Sequence, residues 1–196
     1  DLVLNVQSKL SLTAPDKMLT LGGTLSAQGH AITKIGGGIA QLENVRTGFL
    51  GISAGAVRIR ARGAANSTDG ASVVSNLSIA AGAVLDLTDN SLVIDYDTVG
   101  TLVGDVRQHL QTGRLSSSTA NGTHRLGYAD NAVTGLATFS GQPVDPTSIL
   151  VKYTYYGDAN LDGKVDAADL SALARSWQGP AVWTGGDFDY DGLVSI

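Results

Sequence analysis

Several features that would assign a function are missing from this sequence. Cysteine is absent from its 196 residues, which excludes a disulfide framework and thiol chemistry. No apolar run reaches about 18 residues, so we predict no helix that spans a bilayer. The 13 basic residues do not outnumber the 18 acidic ones, which argues against nucleic-acid partners. His30, His109 and His124 lie far apart, and we expect ordinary packed or solvated side chains.

The negative charge is confined to the C-terminal end. From Asp158 onward there are seven aspartates against Lys164 and Arg175, which accounts for the whole net charge of −5. The preceding residues carry eleven acidic and eleven basic side chains and are balanced. The acidity therefore belongs to the C-terminal segment, which is where a bound cation is expected.

Oxygen-bearing side chains recur at fixed intervals in this acidic tract. With Asp158 as position 1, they stand at positions 1, 3, 5, 9 and 12, with glycine at position 6. This is the spacing of a loop wrapped around one Ca²⁺, whereas a surface turn rich in Asp and Gly would match it only by coincidence. The predicted ligands are Asp158, Asn160, Asp162 and Asp169, the Lys164 carbonyl, and Asp166 through a water molecule. The lack of Cys and of nearby His argues against zinc or copper.

A helix is predicted directly after this loop. Leu170, Leu173, Ala174 and Trp177 form one apolar stripe at helical spacing. Asp166 is its predicted N-cap, and Gly179-Pro180 is expected to end it.

The loop pattern then recurs 29 residues later, from Asp158 to Asp187. The sequence reaches Ile196 before a position-12 ligand, so we expect this second site to be partial and to bind weakly or not at all. Together with the absence of an initial Met, this favours a processed piece of a longer polypeptide. The predicted ligands of the second site are Asp187, Asp189, Asp191 and the Leu193 carbonyl.

Two such units at this separation resemble a dockerin type I module. The tract from Gly157 to Leu170 and the run Gly186-Asp-Phe-Asp-Tyr-Asp-Gly192 carry the resemblance, which covers residues 157–196. It implies Ca²⁺-dependent folding, with EF-hand-like loop-helix units, and docking onto a cohesin partner. Ala167 and Ala168 stand where cellulosomal dockerins commonly carry hydroxyl side chains, which argues against cohesin itself.

Residues 1–98 consist of short β-prone runs broken by glycine. Leu50-Gly-Ile-Ser-Ala-Gly-Ala-Val57 and Leu77-Ser-Ile-Ala-Ala-Gly-Ala-Val84 agree at most positions, 27 residues apart. A repeat of this length is typical of a solenoid coil. We therefore predict a mainly β fold with a parallel β-solenoid body, and an antiparallel β-sandwich is the alternative.

Residues 99–156 are predicted to cap and close this body. Leu85–Tyr96 is predicted as one strand, and Val99–Thr112 as a helix closed by Gly113. Strands are expected near 125–128 and 137–139, and a last one at Ile149–Tyr156 leads into the first calcium loop without a linker.

The region from about residue 80 onward is also similar to the C-terminal part of large secreted planctomycete proteins with autotransporter-type β-repeats, which commonly end in a PEP-CTERM-type sorting tail. The run Leu150-Val-Lys-Tyr-Thr-Tyr-Tyr-Gly-Asp158 contributes to the similarity. It implies export and a role at the cell surface or in a matrix, with no known catalysis.

Two patterns leave room for other functions. Arg58, Arg60 and Arg62 alternate along one predicted strand face and are either a solvated surface or a site for an anionic polysaccharide, as in a β-helix lyase. Ser53 stands in a GxSxG string, but β-like residues follow it where a hydrolase requires a helix.

Taken together, the sequence predicts a non-enzymatic, exported bacterial protein with a structural or adhesive role outside the cell. Calcium would stabilise its dockerin-like end, and its partners would be neighbouring copies or another surface protein. The alternative is a polysaccharide-binding or polysaccharide-lyase β-helix protein that carries a dockerin.

Overall fold

The computed structural model describes residues 2–4, 8–27, 29–63, 71–96 and 103–195. Its strands are β1 (Leu2–Val3), β2 (Ser8–Ser11), β3 (Met18–Ser26), β4 (Ala31–Ile35), β5 (Ile39–Ile52), β6 (Ala56–Ile59), β7 (Ser72–Ile79), β8 (Val84–Asp86), β9 (Ser91–Asp95), β10 (Leu115–Ser116), β11 (His124–Asp130), β12 (Thr138–Phe139), β13 (Gln142–Pro143) and β14 (Ser148–Tyr155). Its helices are α1 (Val103–Gln111), α2 (Asn131–Thr134), α3 (Ala167–Arg175) and a 3₁₀ helix at Trp183–Gly185. The fold is mainly β, as the sequence predicts.

The long strand β5 organises the sheet, because four other strands pair with it and all four run parallel to it. Its first half lies between β3 and β6, and its second half lies between β4 and β7. Parallel pairing continues outward from β6 to β8 and β10, and from β7 to β9. Twelve strands thereby join into one nearly closed sheet whose apolar side chains form a common core.

The repeated segments of the sequence lie directly side by side in this sheet. Leu50 pairs with Leu77, and Ile52 pairs with Ile79. The alignment of the two segments also places Asp86 opposite Ile59, but in the structure Asp86 pairs with Arg58. The reason is turn length, because three residues separate β5 from β6 whereas four separate β7 from β8.

The single strand predicted over Leu85–Tyr96 is wrong, because the chain turns between β8 and β9. Thr88 has a φ of 51°, which breaks the extended backbone. Its hydroxyl donates to the Ile59 carbonyl at 2.8 Å, and the Asn90 side-chain amide donates to the Arg60 carbonyl at 2.9 Å. These buried side chains replace the backbone pairing that a continuous strand would have supplied.

Parallel pairing gives way to antiparallel pairing near the C-terminal end. Strand β9 pairs antiparallel with β14, and β14 pairs antiparallel with β11. The predicted helix is present as α1, with Val106 and Leu110 buried and with Gly113 in the left-handed region at φ 70°. The first residues of the predicted helix, 99–102, lie outside the described residues. Within the described ranges, no helix is long and apolar enough to cross a bilayer.

The edge strand β11 is covered by the acidic C-terminal segment. The Tyr190 hydroxyl donates to the Leu126 carbonyl at 2.6 Å, and the Arg125 guanidinium donates to the Phe188 carbonyl. Trp183 is fully buried in the same contact and belongs to the common core. An edge strand otherwise presents unpaired backbone groups, so this contact shields them from another chain.

Helix α3 differs from its prediction in length and in burial. It ends at Arg175, before Trp177 and before the predicted stop at Gly179-Pro180. Leu170 is 67% exposed and Trp177 is 45% exposed, so the predicted apolar stripe does not face the core. The predicted N-cap is confirmed, because the Asp166 side chain accepts a hydrogen bond from the Ala168 amide.

Gly127 of β11 leaves the space in which the C-terminal segment packs. A Cβ at this position would lie 2.6 Å from Leu161 Cδ2 and 2.7 Å from the Trp183 ring. We expect Gly127→Ala to lower the free energy of unfolding by about 1–3 kcal/mol through overpacking.

Denaturant unfolding of the full chain measures this effect. The control is Gly104→Ala in α1, where an added Cβ meets nothing within 4 Å, so that variant should be as stable as the parent or slightly more stable. Equal stability of both variants would contradict the packing described for Gly127.

Candidate metal loops

The first predicted loop lies between β14 and α3 and closes on its first aspartate. The carboxylate of Asp158 is fully buried. Its Oδ1 accepts the Asp162 amide at 3.1 Å, and its Oδ2 accepts the Gly163 amide at 2.9 Å and the Thr154 hydroxyl. Gly163 has a φ of 91°, which supports the glycine predicted for the sharp turn. Burial raises the pKa of Asp158, and the hydrogen bond from Thr154 opposes that rise.

The far end of this loop is closed by Asp169, the predicted position-12 ligand. Its Oδ1 accepts the Ala159 amide at 2.8 Å, and its Oδ2 accepts the Asp166 amide at 2.8 Å. The latter bond completes a capping box with Asp166 at the start of α3. The two ends of the loop are therefore joined by side-chain hydrogen bonds to the backbone.

The remaining predicted ligands of the first loop lie at its surface. Asn160 Oδ1 accepts the Asp162 amide at 2.9 Å, and Asp162 Oδ1 accepts the Lys164 amide at 2.8 Å. The side chains of Asn160, Asp162 and Asp166 are exposed. Ligation by the Lys164 carbonyl and by Asp166 through water stays a prediction.

The second loop repeats the backbone geometry of the first. Asp187 Oδ2 accepts the Gly192 amide at 3.1 Å, and Asp191 Oδ1 accepts the Leu193 amide at 2.7 Å. These bonds match those of Asp158 with Gly163 and of Asp162 with Lys164. Gly192 has a φ of 94°, close to the 91° of Gly163. The repeat seen in the sequence is thus also a repeat of conformation.

Position 4 of each loop carries a feature that the sequence analysis missed. Leu161 and Tyr190 both have positive φ, at 61° and 69°, and both are buried. Both side chains belong to the common core. The sequence contains a pattern that indicates this burial, because an apolar or aromatic residue follows the second oxygen-bearing position in both loops.

Three carboxylates converge in the second loop. Among the described residues, Asp187, Asp189 and Asp191 are the one group of three or more acidic, His or Cys side chains whose ligand atoms lie within 4.8 Å of one another. The acidic ligands predicted for the first loop are not brought to this distance. The structure therefore gathers acidic side chains most closely in the loop that the sequence analysis expects to bind weakly.

Asp187 is the most constrained of the three acids. Its carboxylate is fully buried, and its Oδ1 has no hydrogen-bond partner among the residues that the structure describes. Burial raises its pKa to about 6, the Gly192 amide opposes that rise, and the neighbouring Asp189 carboxylate adds to it. A buried, unpartnered carboxylate oxygen beside two other carboxylates has an electrostatic need for a proton or a cation. All the groups present are hard oxygens, which fit Ca²⁺ or Mg²⁺ better than zinc or copper.

Trp183 joins the two loops to each other and to the sheet. Its indole Nε1 donates to the Asp158 carbonyl at 2.6 Å. Its ring packs edge-on against Phe188 at 4.9 Å and stacks with Tyr190 at 6.0 Å, as centroid distances. Lys152 of β14 donates to the Leu161 carbonyl at 2.8 Å, which adds a second link from the sheet to the first loop. Trp183 and Tyr153 are both buried, so neither ring is exposed to stack on a sugar.

The alternating arginines each have a partner on a neighbouring segment. Arg58 contacts Asp86 at 2.8 Å, Arg60 contacts Glu43 at 2.9 Å, and the Arg62 Nε donates to Asn90 Oδ1 at 2.8 Å. Two of the three guanidinium charges are thus compensated by an acid. Ser53 lies in the turn between strands β5 and β6, so the strand-to-helix turn of a hydrolase nucleophile is not formed around it.

The raised pKa of Asp187 predicts how stability depends on pH when metal is chelated. In the folded state this pKa is about 6, against an ordinary value of 3.8, so the folded chain binds the proton more tightly than the unfolded chain. This group therefore lowers the stability of the metal-free protein as pH rises from about 4 to about 6.

The test is to measure the free energy of unfolding in urea from pH 4 to 7, with chelator present, for the parent protein and for Asp187→Asn. The variant should gain stability relative to the parent across that interval, and added Ca²⁺ should remove the decline in the parent. Parallel curves for the two proteins would contradict the assignment.

In a comparison with known proteins, no family model, no curated protein and no solved structure matches this chain.

Proposed function

We propose that this chain is an exported, non-enzymatic structural or adhesive protein whose C-terminal loops bind Ca²⁺. The observation that carries the proposal is the fully buried Asp187 carboxylate: Asp189 and Asp191 lie beside it, and no described residue hydrogen-bonds to its Oδ1. A divalent cation between the three groups would neutralise their repulsion and supply the missing contact. Cation binding then stabilises the folded state, because the unfolded loop has no such gathered ligands.

The proposal includes a dockerin-like module formed by the two loops. It is supported by the repeated pattern of hydrogen bonds, by the matched positive φ at positions 4 and 6, and by the capped helix α3 after the first loop. The second loop directly follows a 3₁₀ helix, Trp183–Gly185. Ala167 and Ala168 are exposed at the start of α3, so a cohesin that reads hydroxyl side chains there would find none.

The body is proposed to be a parallel β-solenoid. Its support is the parallel pairing of repeated segments, in which each strand neighbours one from an earlier and one from a later stretch of chain. Solenoids stack their coils so that each buries the apolar face of the next. Such a body suits a scaffold at the cell surface, where neighbouring copies or another surface protein would be the partners. The exposed apolar residues of the C-terminal segment, Leu170 and Trp177, are available for such contacts.

Export is proposed from the same chemistry. A weak site of hard oxygen ligands fills most readily where free Ca²⁺ is abundant, as it is outside cells. The polysaccharide alternative receives less support, because two of the three arginines that would bind an acidic glycan are already paired, Arg58 with Asp86 and Arg60 with Glu43.

Calcium dependence is tested by thermal unfolding of the full chain with excess Ca²⁺ and with chelator. We expect a higher melting temperature with calcium, since a ligand at 100 times its Kd stabilises the folded state by about 2.7 kcal/mol per site. Asp187→Asn should remove much of this response. Asp16→Asn is the control, because Asp16 lies far from the loops in sequence and its ion pair with Lys17 is exposed. An identical transition with and without chelator would remove calcium from the proposal.

The paired arginines give a second test, which separates a structural role from glycan binding. Asp86 is nearly buried, with a side chain 4% exposed, whereas Glu43 is 28% exposed. We therefore expect Arg58→Ala to cost about 1–3 kcal/mol, because it leaves a buried carboxylate short of one partner. Arg60→Ala should change stability by no more than about 0.5 kcal/mol.

The two variants are compared by denaturant unfolding and by turnover of acidic polysaccharides. Lyase activity in the parent that Arg60→Ala abolishes without loss of stability would overturn the non-enzymatic proposal.

A further inference from the structure

One polar group of β11 and one of the second loop have complementary chemistry. Tyr128 of β11 and Asp187 of the second loop are both fully buried. Within the part of the chain that the structure describes, neither the Tyr128 hydroxyl nor Asp187 Oδ1 has a hydrogen-bond partner. A phenol is a donor and a carboxylate oxygen is an acceptor, so each supplies what the other lacks.

Tyr128 also packs against a residue of the second loop. The ring of Tyr128 lies 6.2 Å from the ring of Tyr190, which follows Asp187 by three residues. Burial raises the pKa of Tyr128, and the charge of Asp187 is the next contribution in the same direction. Buried polar pairs of this kind are usually joined directly or through one ordered water molecule.

The first loop shows the corresponding contact already formed. The Thr154 hydroxyl of β14 donates to Asp158 Oδ2. Strands β14 and β11 are neighbours in the sheet. The buried aspartate of position 1 in the first loop therefore accepts from a hydroxyl of this pair of strands rather than of the loop itself, and Tyr128 belongs to the same pair of strands.

We propose that Tyr128 is a positioning residue for the second metal loop: its hydroxyl donates to Asp187, directly or through one buried water, and holds the carboxylate toward Asp189 and Asp191. The inference rests on the cation-binding function proposed above. It adds that the cation affinity of the loop depends on its docking onto the β-sheet, since outer hydrogen bonds orient metal ligands and support their affinity. Thr154 has the same role for Asp158.

The experiment measures Ca²⁺ affinity of the full chain by calorimetry, one loop at a time. Asp162→Asn weakens the first loop, and in that background Tyr128→Phe should weaken binding by about 10-fold or more, as the loss of an outer hydrogen bond typically does. The matched control is Tyr153→Phe, because that buried hydroxyl donates to the Thr119 carbonyl at 2.8 Å, away from both loops. In the Asp162→Asn background, Tyr153→Phe should leave the Ca²⁺ affinity unchanged.

A mirrored arm guards against a variant that fails to fold. In an Asp191→Asn background, which weakens the second loop, Thr154→Val should lower the affinity of the first loop, whereas Tyr128→Phe should leave it unchanged. Loss of affinity confined to the matching loop supports the inference.

Three results would overturn it. These are parent-like affinity in Tyr128→Phe, an equal loss in Tyr153→Phe, and parent-like affinity of the first loop in Thr154→Val. Absence of Ca²⁺ binding by the unsubstituted chain is a different result, because it would instead overturn the proposed function.

Discussion

The burial of one aspartate at the start of each loop is the constraint on which the C-terminal half depends. Asp158 and Asp187 are both fully buried, and burial raises the pKa of each. A carboxylate in that position must be hydrogen-bonded, protonated or paired with a cation. Asp158 is largely satisfied by amide and hydroxyl donors. Asp187 is not, and the two carboxylates beside it increase its need for a cation.

The same segment also closes the sheet. Strand β11 is the last strand in the order of the sheet, and the second loop covers it through Tyr190 and Phe188. Trp183 fills the space that Gly127 leaves and donates to the first loop. A cation that fixes the second loop would therefore also fix the cover of an edge strand. Metal binding, core packing and protection of the edge are in this way parts of one arrangement.

The sequence predicts local conformation here better than it predicts packing. Both loop patterns and the N-cap Asp166 follow from spacing alone, because hydrogen bonds between near neighbours form these features. The repeat at Leu50 and Leu77 likewise predicts which strands pair. What spacing does not reveal is burial. The apolar stripe of α3 is exposed although its pattern suits a core, and the buried Lys34 is held by three backbone carbonyls, those of Ile35, Gly36 and Ala54. The burial of Lys34 depends in part on Ala54, which lies 20 residues away in sequence.

Partner groups across the fold are similarly invisible in the sequence. Nothing in the string of residues places Thr154 against Asp158, and the turn at Thr88 depends on buried hydrogen bonds to residues about 29 positions earlier. The sequence also predicts weaker metal binding by the second loop than by the first, because the second lacks a position-12 ligand. The structure nevertheless gathers the acidic side chains of the second loop more closely.

The most direct measurement is a crystal structure of the full chain grown with ample Ca²⁺ and examined for anomalous scattering. Our account predicts a peak between the carboxylates of Asp187, Asp189 and Asp191, at about 2.3–2.6 Å from their oxygens. Carboxylates turned toward solvent around an empty space under those conditions would contradict it.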